Sequence, residues 1–160
     1  MGRILGIGNA LVDVITIIND DQTLERFALP KGSMQLVDRE KSEMIKSETK
    51  TFKQRLASGG SAANTIHGLA MIGEKTGFIG SIGKDQLGDF FEKDMKAAGI
   101  NTLLSRRDTI TGTAVALISP NSERTFFFSK VRALSSTSLI LSPKVPSISL
   151  SAWSIQSQAC

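Results

Sequence analysis

The 160 residues are 41% hydrophobic and 21% charged, which is long enough for one folded domain and excludes an intrinsically disordered chain. Residues 1–123 contain 15 acidic and 15 basic side chains, so the net charge of +4 comes entirely from Arg124, Lys130, Arg132 and Lys144. Because these four are scattered among serines instead of clustered on one face, we predict that the protein does not bind nucleic acid.

The first 128 residues alternate between strand-like and helix-like segments. Short apolar or β-branched runs predict strands, and Asp38 and Asp85 are candidate N-caps of the helices that follow them. A helix of small and apolar residues is expected to end at Gly73. In chain order the sequence predicts strands at 3–8, 11–18 and 33–37, a helix from 38, a helix at 61–72, a strand at 75–79, a helix at 86–98, and strands at 102–106, 113–119 and 124–128.

This order of elements predicts an α/β fold, with a largely parallel sheet flanked by helices. The β-rich segments at about 11–37 and 102–128 predict a smaller second sheet beside it. No apolar stretch reaches the roughly 18 residues that a membrane span needs, and the first residues lack the apolar run of a signal peptide. We therefore expect a cytoplasmic protein with no membrane partner.

Residues 129–160 differ in composition from the rest of the chain. They hold ten serines, against nine in the preceding 128 residues, and no acidic residue. Cys160 is the single cysteine and cannot build a disulfide framework, which agrees with a reducing compartment. A natural serine-rich tail is one explanation. Our hypothesis is that the domain ends at 128 and that 129–160 is frameshifted, truncated or disordered. Translating the DNA beyond codon 128 in the other two frames tests it.

The strongest motif is the turn formed by Gly59 and Gly60 directly before the helix that starts at Ser61. Two glycines let a backbone approach a ligand closely, and the first N–H groups of the helix are free to donate to an oxygen-rich ligand. Asn64, one turn into the helix, offers both a donor and an acceptor. A tight turn before a capped helix is the better explanation of the glycines taken alone, so the wider spacing has to decide.

That spacing resembles the first signature of the PfkB family of carbohydrate and nucleoside kinases. The resemblance implies a ribokinase-like fold, in which a small β lid closes over the substrate. Ile66 departs from the pattern, since a small residue is expected there, and we expect it to alter helix packing and not ligand contacts. The matching positions are Gly59, Gly60, Ala62, Asn64, Gly73, Gly83, Asp85 and Gly88.

The segment from Gly8 to Asp13 resembles a second element of the same family. By that resemblance Asp13 accepts hydrogen bonds from two sugar hydroxyls and Asn9 assists. A carboxylate inside an apolar strand is hard to explain as packing, although an exposed charge at a strand end is the alternative. The predicted substrate-binding residues are Asn9, Asp13, Gly59, Gly60, Ser61 and Asn64.

Two other interpretations of single residues are weaker. Gly6 and Gly8 begin a dinucleotide-binding pattern, but its third glycine position is Leu11 and a strand follows where a helix is required. His67, the only histidine, is expected to be a solvated or core helix residue and not a catalytic one.

Two motifs that the family carries are missing from this sequence. In the family the catalytic aspartate base and the residues that organise ATP and magnesium lie in carboxy-terminal Gly-Ala-Gly-Asp and Asn-x-x-Glu motifs, and neither motif occurs here. We therefore predict no catalytic residue and no metal ligand in this chain. MgATP is expected for the full-length parent only, with none bound by this fragment.

The leading hypothesis is that the full-length parent is an ATP-dependent kinase for a sugar or nucleoside hydroxyl. This chain would be its substrate-binding fragment, truncated and inactive alone. The alternatives are a catalytically dead sugar-binding remnant and a nonfunctional gene product. Ser61 occupies the position at which ribokinases typically carry a lysine, which favours a nucleoside over a simple sugar. The resemblance also admits a homodimer formed through the lid.

Overall fold

The computed structural model of the protein describes residues 3–129. The predicted serine-rich tail lies outside the described residues from position 130 onward. None of the helices described in this range is long and apolar enough to cross a bilayer.

Strands and helices alternate along the described residues, and all of them except α1 and β4 were predicted from the sequence. The order is β1 (Ile4–Ile7), β2 (Leu11–Ile17), α1 (Gln22–Arg26), β3 (Met34–Val37), α2 (Arg39–Thr49), β4 (Gln54–Gly59), α3 (Ser61–Met71), β5 (Thr76–Gly83), α4 (Gln86–Ala97), β6 (Asn101–Arg107), β7 (Gly112–Ile118) and β8 (Arg124–Ser129).

The predicted N-caps are present. The Asp38 side chain accepts from the Lys41 N–H at 2.7 Å, and the Asp85 side chain accepts from the Gly88 N–H at 2.8 Å. Each carboxylate satisfies one of the N–H groups that the first turn of a helix leaves without a backbone partner.

The strands form two sheets. The first is three-stranded and entirely parallel, in the order β1-β5-β6, and the second is five-stranded and mixed, in the order β3-β8-β7-β2-β4. The second sheet contains β2, β3, β7 and β8, as predicted, but among the described residues it is the larger of the two sheets and not the smaller one that the sequence predicts. The chain passes between the two sheets at the β1–β2 link, through α3 between β4 and β5, and at the β6–β7 link.

Three details of the prediction need correction. The strand β6 was expected in the second sheet, but it pairs along its whole length with β5 of the first. The edge strand β4 was not predicted, because Gln54 and Arg55 break any apolar pattern there, and it pairs antiparallel with β2. The five-residue helix α1 was expected to be loop.

The first core lies between the parallel sheet and the helices α3 and α4. Phe78 of β5 and Phe91 of α4 meet there, with ring centroids 5.5 Å apart. Ile66 of α3 is almost fully buried, and a Cβ atom added at Gly6 would lie 3.1 Å from its Cδ1 atom. The absence of a side chain at Gly6, on the facing strand, makes room for Ile66. Ile66 therefore affects the packing of α3 on the sheet, as expected.

The second core covers one face of the five-stranded sheet. Val115, Leu117 and Phe127 of that face pack with the apolar residues of α1 and α2. Because side chains alternate along a strand, Asp13 and Phe128 project from the opposite face. The sheet therefore presents a second surface, with a carboxylate on β2 and aromatic rings on β8.

Candidate functional site

Asp13 is the third residue of β2, a strand that pairs with β4 on one side and β7 on the other. Its backbone is in register with Ala57 and Ala114. The carboxylate lies directly over the backbone of Gly59, so that a Cβ atom at position 59 would be 2.5 Å from Oδ2 of Asp13. Glycine at 59 is therefore a steric requirement of the carboxylate's position.

The Asp13 carboxylate has no bonded partner in the described part of the chain: neither a hydrogen-bond donor nor a cation contacts it. Burial raises the pKa of Asp13 above its ordinary value. A partly buried carboxylate without a donor costs free energy, which makes it unsuited to a purely structural role. Its two oxygens can accept hydrogen bonds from hydroxyl groups of a ligand.

Gly60 forms the whole connection between β4 and α3. Its φ of 97° and ψ of 141° belong to a region that residues with a side chain rarely adopt. A Cβ atom here would also lie 2.7 Å from the backbone oxygen of Asn9. The β1–β2 link therefore contacts the glycine turn, through the main chain of Asn9, while the Asn9 residue as a whole is exposed.

The helix α3 begins at this turn without a side-chain cap. The Asn64 N–H donates to the Gly60 backbone oxygen at 2.8 Å, which closes the first helical turn. The N–H groups that precede it therefore point toward the turn, where they can donate to a ligand oxygen. Ser61 and Asn64 are exposed, and within residues 3–129 no hydrogen bond holds the Asn64 side chain.

The structure thus brings four of the six predicted residues into one group: Asn9, Asp13, Gly59 and Gly60. Ser61 follows directly in the chain. Asn64 lies one turn further along α3, and in the described range no hydrogen bond joins its side chain to Asp13. The ligand contacts of all six residues remain predictions.

A second polar cluster lies directly behind the glycine turn, and sequence reasoning did not identify it as such. The Ser58 hydroxyl donates to Oδ2 of Asp94 at 2.7 Å, and the Ser58 N–H donates to the same oxygen at 3.0 Å. Nε2 of His67 lies 3.1 Å from the Ser58 hydroxyl oxygen. The one sequence signal was Asp94 itself, a carboxylate on the otherwise apolar face of α4.

Asp85, part of the motif that continues the glycine pattern, has a structural role. Besides capping α4, its two carboxylate oxygens accept from the hydroxyl and the N–H of Thr111, at 2.6 and 2.7 Å. The Thr111 hydroxyl oxygen in turn accepts from the Gly83 N–H at 2.9 Å. Asp85 therefore ties the start of α4 to the link between β6 and β7, where the chain passes from one sheet to the other.

Replacing Asp85 with Ala is expected to lower the free energy of unfolding by about 2–4 kcal/mol at pH 7, because a helix cap and the bonds to Thr111 are lost together. Burial opposes ionisation of Asp85, but the hydrogen bonds from Thr111 and Gly88 outweigh it and lower the pKa. The native carboxyl thus releases its proton more readily than the unfolded one. The contribution of Asp85 to stability is fully present at pH values above its ordinary pKa of 3.8, and it is lost as the pH falls through the pKa of the folded state.

Urea denaturation of both proteins at several pH values checks this prediction. The difference between wild type and Asp85→Ala should be largest near neutral pH and should shrink in acid. Asp108→Ala, which removes a largely exposed carboxylate from the same region, is the control and should change stability little. A pH-independent difference for Asp85→Ala would contradict the assigned role.

In the part of the chain that the structure describes, no three His, Cys, Asp or Glu side chains are grouped so that they could hold a metal ion.

Comparisons with known proteins agree with one another. The family model described as pfkB family carbohydrate kinase matches residues 32–144. Adenosine kinase 2 of Arabidopsis thaliana is 31% identical over 103 residues, which cover 62% of this chain and 30% of that protein. The 5-dehydro-2-deoxygluconokinase of Clostridium beijerinckii is 50% identical over 56 residues, which cover 35% of this chain and 16% of that protein.

Solved structures give the same picture. The crystal structure of adenosine kinase from Sinorhizobium meliloti superposes with a TM-score of 0.68 and 32% identity, covering 79% of this chain and 38% of that one. These neighbours confirm the predicted ribokinase-like α/β fold. They also establish that the chain spans well under half the length of the relatives that it matches.

Proposed function

This chain belongs to the pfkB family of carbohydrate kinases, and on that premise we propose that it binds the ribose hydroxyls of a nucleoside through Asp13 and the Gly59–Gly60 turn. The whole protein would transfer a phosphoryl group from ATP, with magnesium, to a hydroxyl of that ligand. The residues described here supply the substrate side of such a site.

One observation carries the proposal: the Asp13 carboxylate is partly buried, unpartnered in the described range, and placed over a position that only glycine can occupy. Charge-assisted hydrogen bonds from two vicinal hydroxyls would satisfy both of its oxygens. The uncapped start of α3, next to the same turn, offers further donors to a ring or hydroxyl oxygen.

The face of the five-stranded sheet that carries Asp13 favours a nucleoside over a simple sugar. Asp13 is in register with Ala114, which is in register with Phe128. Phe128 is therefore two strands away on the same face, about 10 Å at the usual strand spacing. It stacks with Phe126, with ring centroids 6.5 Å apart and planes within 7°. An apolar aromatic surface at this distance suits the planar base of a nucleoside whose ribose lies at Asp13.

Isothermal titration of the 160-residue chain with adenosine, ribose and fructose tests the proposal. We expect heat of binding with adenosine, weaker binding of ribose, and loss of both when Asp13 is replaced with Ala. Absence of binding with all three ligands would contradict the proposal and favour a nonfunctional gene product.

Incubation of the same chain with MgATP and adenosine separates binding from catalysis. Phosphoryl transfer needs a base and positioned magnesium, and the motifs that supply them in the family do not occur in this sequence. We expect no adenosine monophosphate above the rate of the solution without protein. Formation of the product would require a base within these 160 residues and would overturn this part of the proposal.

A further inference from the structure

We propose that Ser58 and Asp94 are positioning residues that hold the Gly59–Gly60 turn in the conformation that receives the ligand. The expected effect on ligand binding rests on the proposed function, but the effect on the conformation of the turn can be tested without any ligand. The sequence motifs predict no role for either residue. In the described structure neither residue forms a hydrogen bond with the Asp13 carboxylate.

The proton positions in the cluster follow from its geometry. Oδ2 of Asp94 accepts two hydrogen bonds from Ser58, one from the N–H and one from the hydroxyl. Since the hydroxyl proton is directed at Asp94, the Ser58 oxygen can only accept from His67, so Nε2 of His67 carries a proton. The Nε2 atom is 3.9 Å from the Asp94 oxygen, too far for a direct hydrogen bond.

This arrangement excludes a hydrolase-type nucleophile, although the three residue types are those of a catalytic triad. In a triad the imidazole accepts the serine proton and the carboxylate orients the other ring nitrogen. Here the Asp94 carboxylate accepts a hydrogen bond from the Ser58 hydroxyl, and the His67 imidazole donates one to the Ser58 oxygen. Ser58 is also buried, with 7% of its surface exposed. We therefore assign the cluster a structural role, which is to hold the backbone of β4 at Ser58.

That backbone needs an anchor. Among the described residues β4 is at the edge of its sheet and pairs with β2 alone, and the first residues of β4 are exposed. The next residue after the strand, Gly60, has the broad conformational freedom of a glycine. Ser58, immediately before the glycine pair, bonds β4 to the helix α4, in addition to the pairing of β4 with β2.

The helix that supplies Asp94 is itself fixed at its start, because Asp85 caps it and bonds to Thr111. A continuous set of hydrogen bonds thus runs from the β6–β7 link through α4 to Ser58. Losing the Asp94 acceptor would leave the buried Ser58 N–H without its partner, and the glycine turn would sample other conformations.

Amide hydrogen exchange on the ligand-free 160-residue chain tests this. In Asp94→Ala we expect the hydrogen-bonded amides within residues 58–64, those of Ser58 and Asn64, to exchange about tenfold faster or more, while the amides of β5 keep their rates. Asp94→Asn, whose side-chain oxygen can still accept both bonds, should restore most of the protection. Thr49→Ala, which removes another buried hydroxyl, bonded to the Ile45 backbone oxygen at 2.7 Å, is the matched control and should leave residues 58–64 unchanged.

Unchanged exchange at 58–64 in Asp94→Ala would overturn the inference. If that variant unfolds, its β5 amides will exchange as fast as the turn. Ser58→Ala then decides, because it keeps the backbone bond and removes only the hydroxyl. Faster exchange at 58–64 in Ser58→Ala supports the inference, and unchanged exchange overturns it.

Titration of the same proteins with adenosine separates the inference from the proposed function. Weakening of adenosine binding by about tenfold in Asp94→Ala, with recovery in Asp94→Asn, supports both. Faster exchange in a chain whose wild type binds no adenosine supports the anchor and overturns the proposed function. Full affinity in Asp94→Ala despite faster exchange overturns the positioning role.

Discussion

Replacing Asp13 with Asn is expected to weaken nucleoside binding by about 100-fold and, in the same protein, to raise the thermal midpoint of unfolding. Binding falls because two charge-assisted hydrogen bonds to ligand hydroxyls become neutral ones, at most one of which finds an acceptor. Stability rises because the native state no longer holds a partly buried carboxylate without a partner. A residue retained for packing would show the opposite effect on stability.

The pH dependence of both properties follows from the raised pKa of Asp13. The native carboxyl binds its proton more tightly than the unfolded one, so this group favours the folded state below its ordinary value of 3.8. That contribution is lost as the pH rises through the folded pKa. Adenosine affinity should change in the opposite sense, increasing with pH through the folded pKa and levelling off above it, because the ionised form is the acceptor.

Differential scanning calorimetry and isothermal titration at several pH values measure the two effects. Asp108→Asn is the matched control, since it neutralises a carboxylate that is almost fully exposed and pairs with Lys84 at the surface. It should change neither the midpoint nor the affinity appreciably. A lower thermal midpoint of Asp13→Asn than of the wild type would show that Asp13 has a structural role. An adenosine affinity of Asp13→Asn equal to that of the wild type would show that Asp13 does not bind the ligand.

Replacing Gly59 with Ala is expected to abolish binding and to lower the free energy of unfolding by about 1–3 kcal/mol, the usual range for an overpacked position. The added methyl group would occupy the space of the Asp13 carboxylate. Either the side chain of Asp13 rotates away or β4 shifts relative to β2, and both changes remove the acceptor from its place.

A double variant separates these causes. In Asp13→Ala combined with Gly59→Ala the colliding carboxylate is absent, so the stability lost in Gly59→Ala should return while binding does not. Gly68→Ala is the control within the next helix, because a Cβ atom there meets nothing within 4 Å. It should stabilise α3 by up to about 1 kcal/mol and leave affinity unchanged. Additive effects of the substitutions at 13 and 59 would contradict the contact.

Local features of the fold were predictable where the physical cause is local. Asp38 and Asp85 cap the predicted helices because a side chain can reach the free N–H groups of its own first turn. The turn before α3 was predictable because two adjacent glycines favour a turn, and Gly60 indeed adopts a positive φ. The strand β4 was missed since its register is set by pairing with β2 and not by an apolar pattern of its own.

The sequence alone determined the order of all the strands and helices except α1 and β4, the turn before α3 and the presence of a carboxylate in an apolar strand. Tertiary structure decided which sheet β6 joins, that Asp13 lies over Gly59, and that Asp94 bonds to Ser58, 36 positions away in the chain. Caps and glycine turns depend on backbone geometry within a few residues. The pairing of strands and the burial of polar side chains depend instead on which distant surfaces meet, and only the packed chain specifies that.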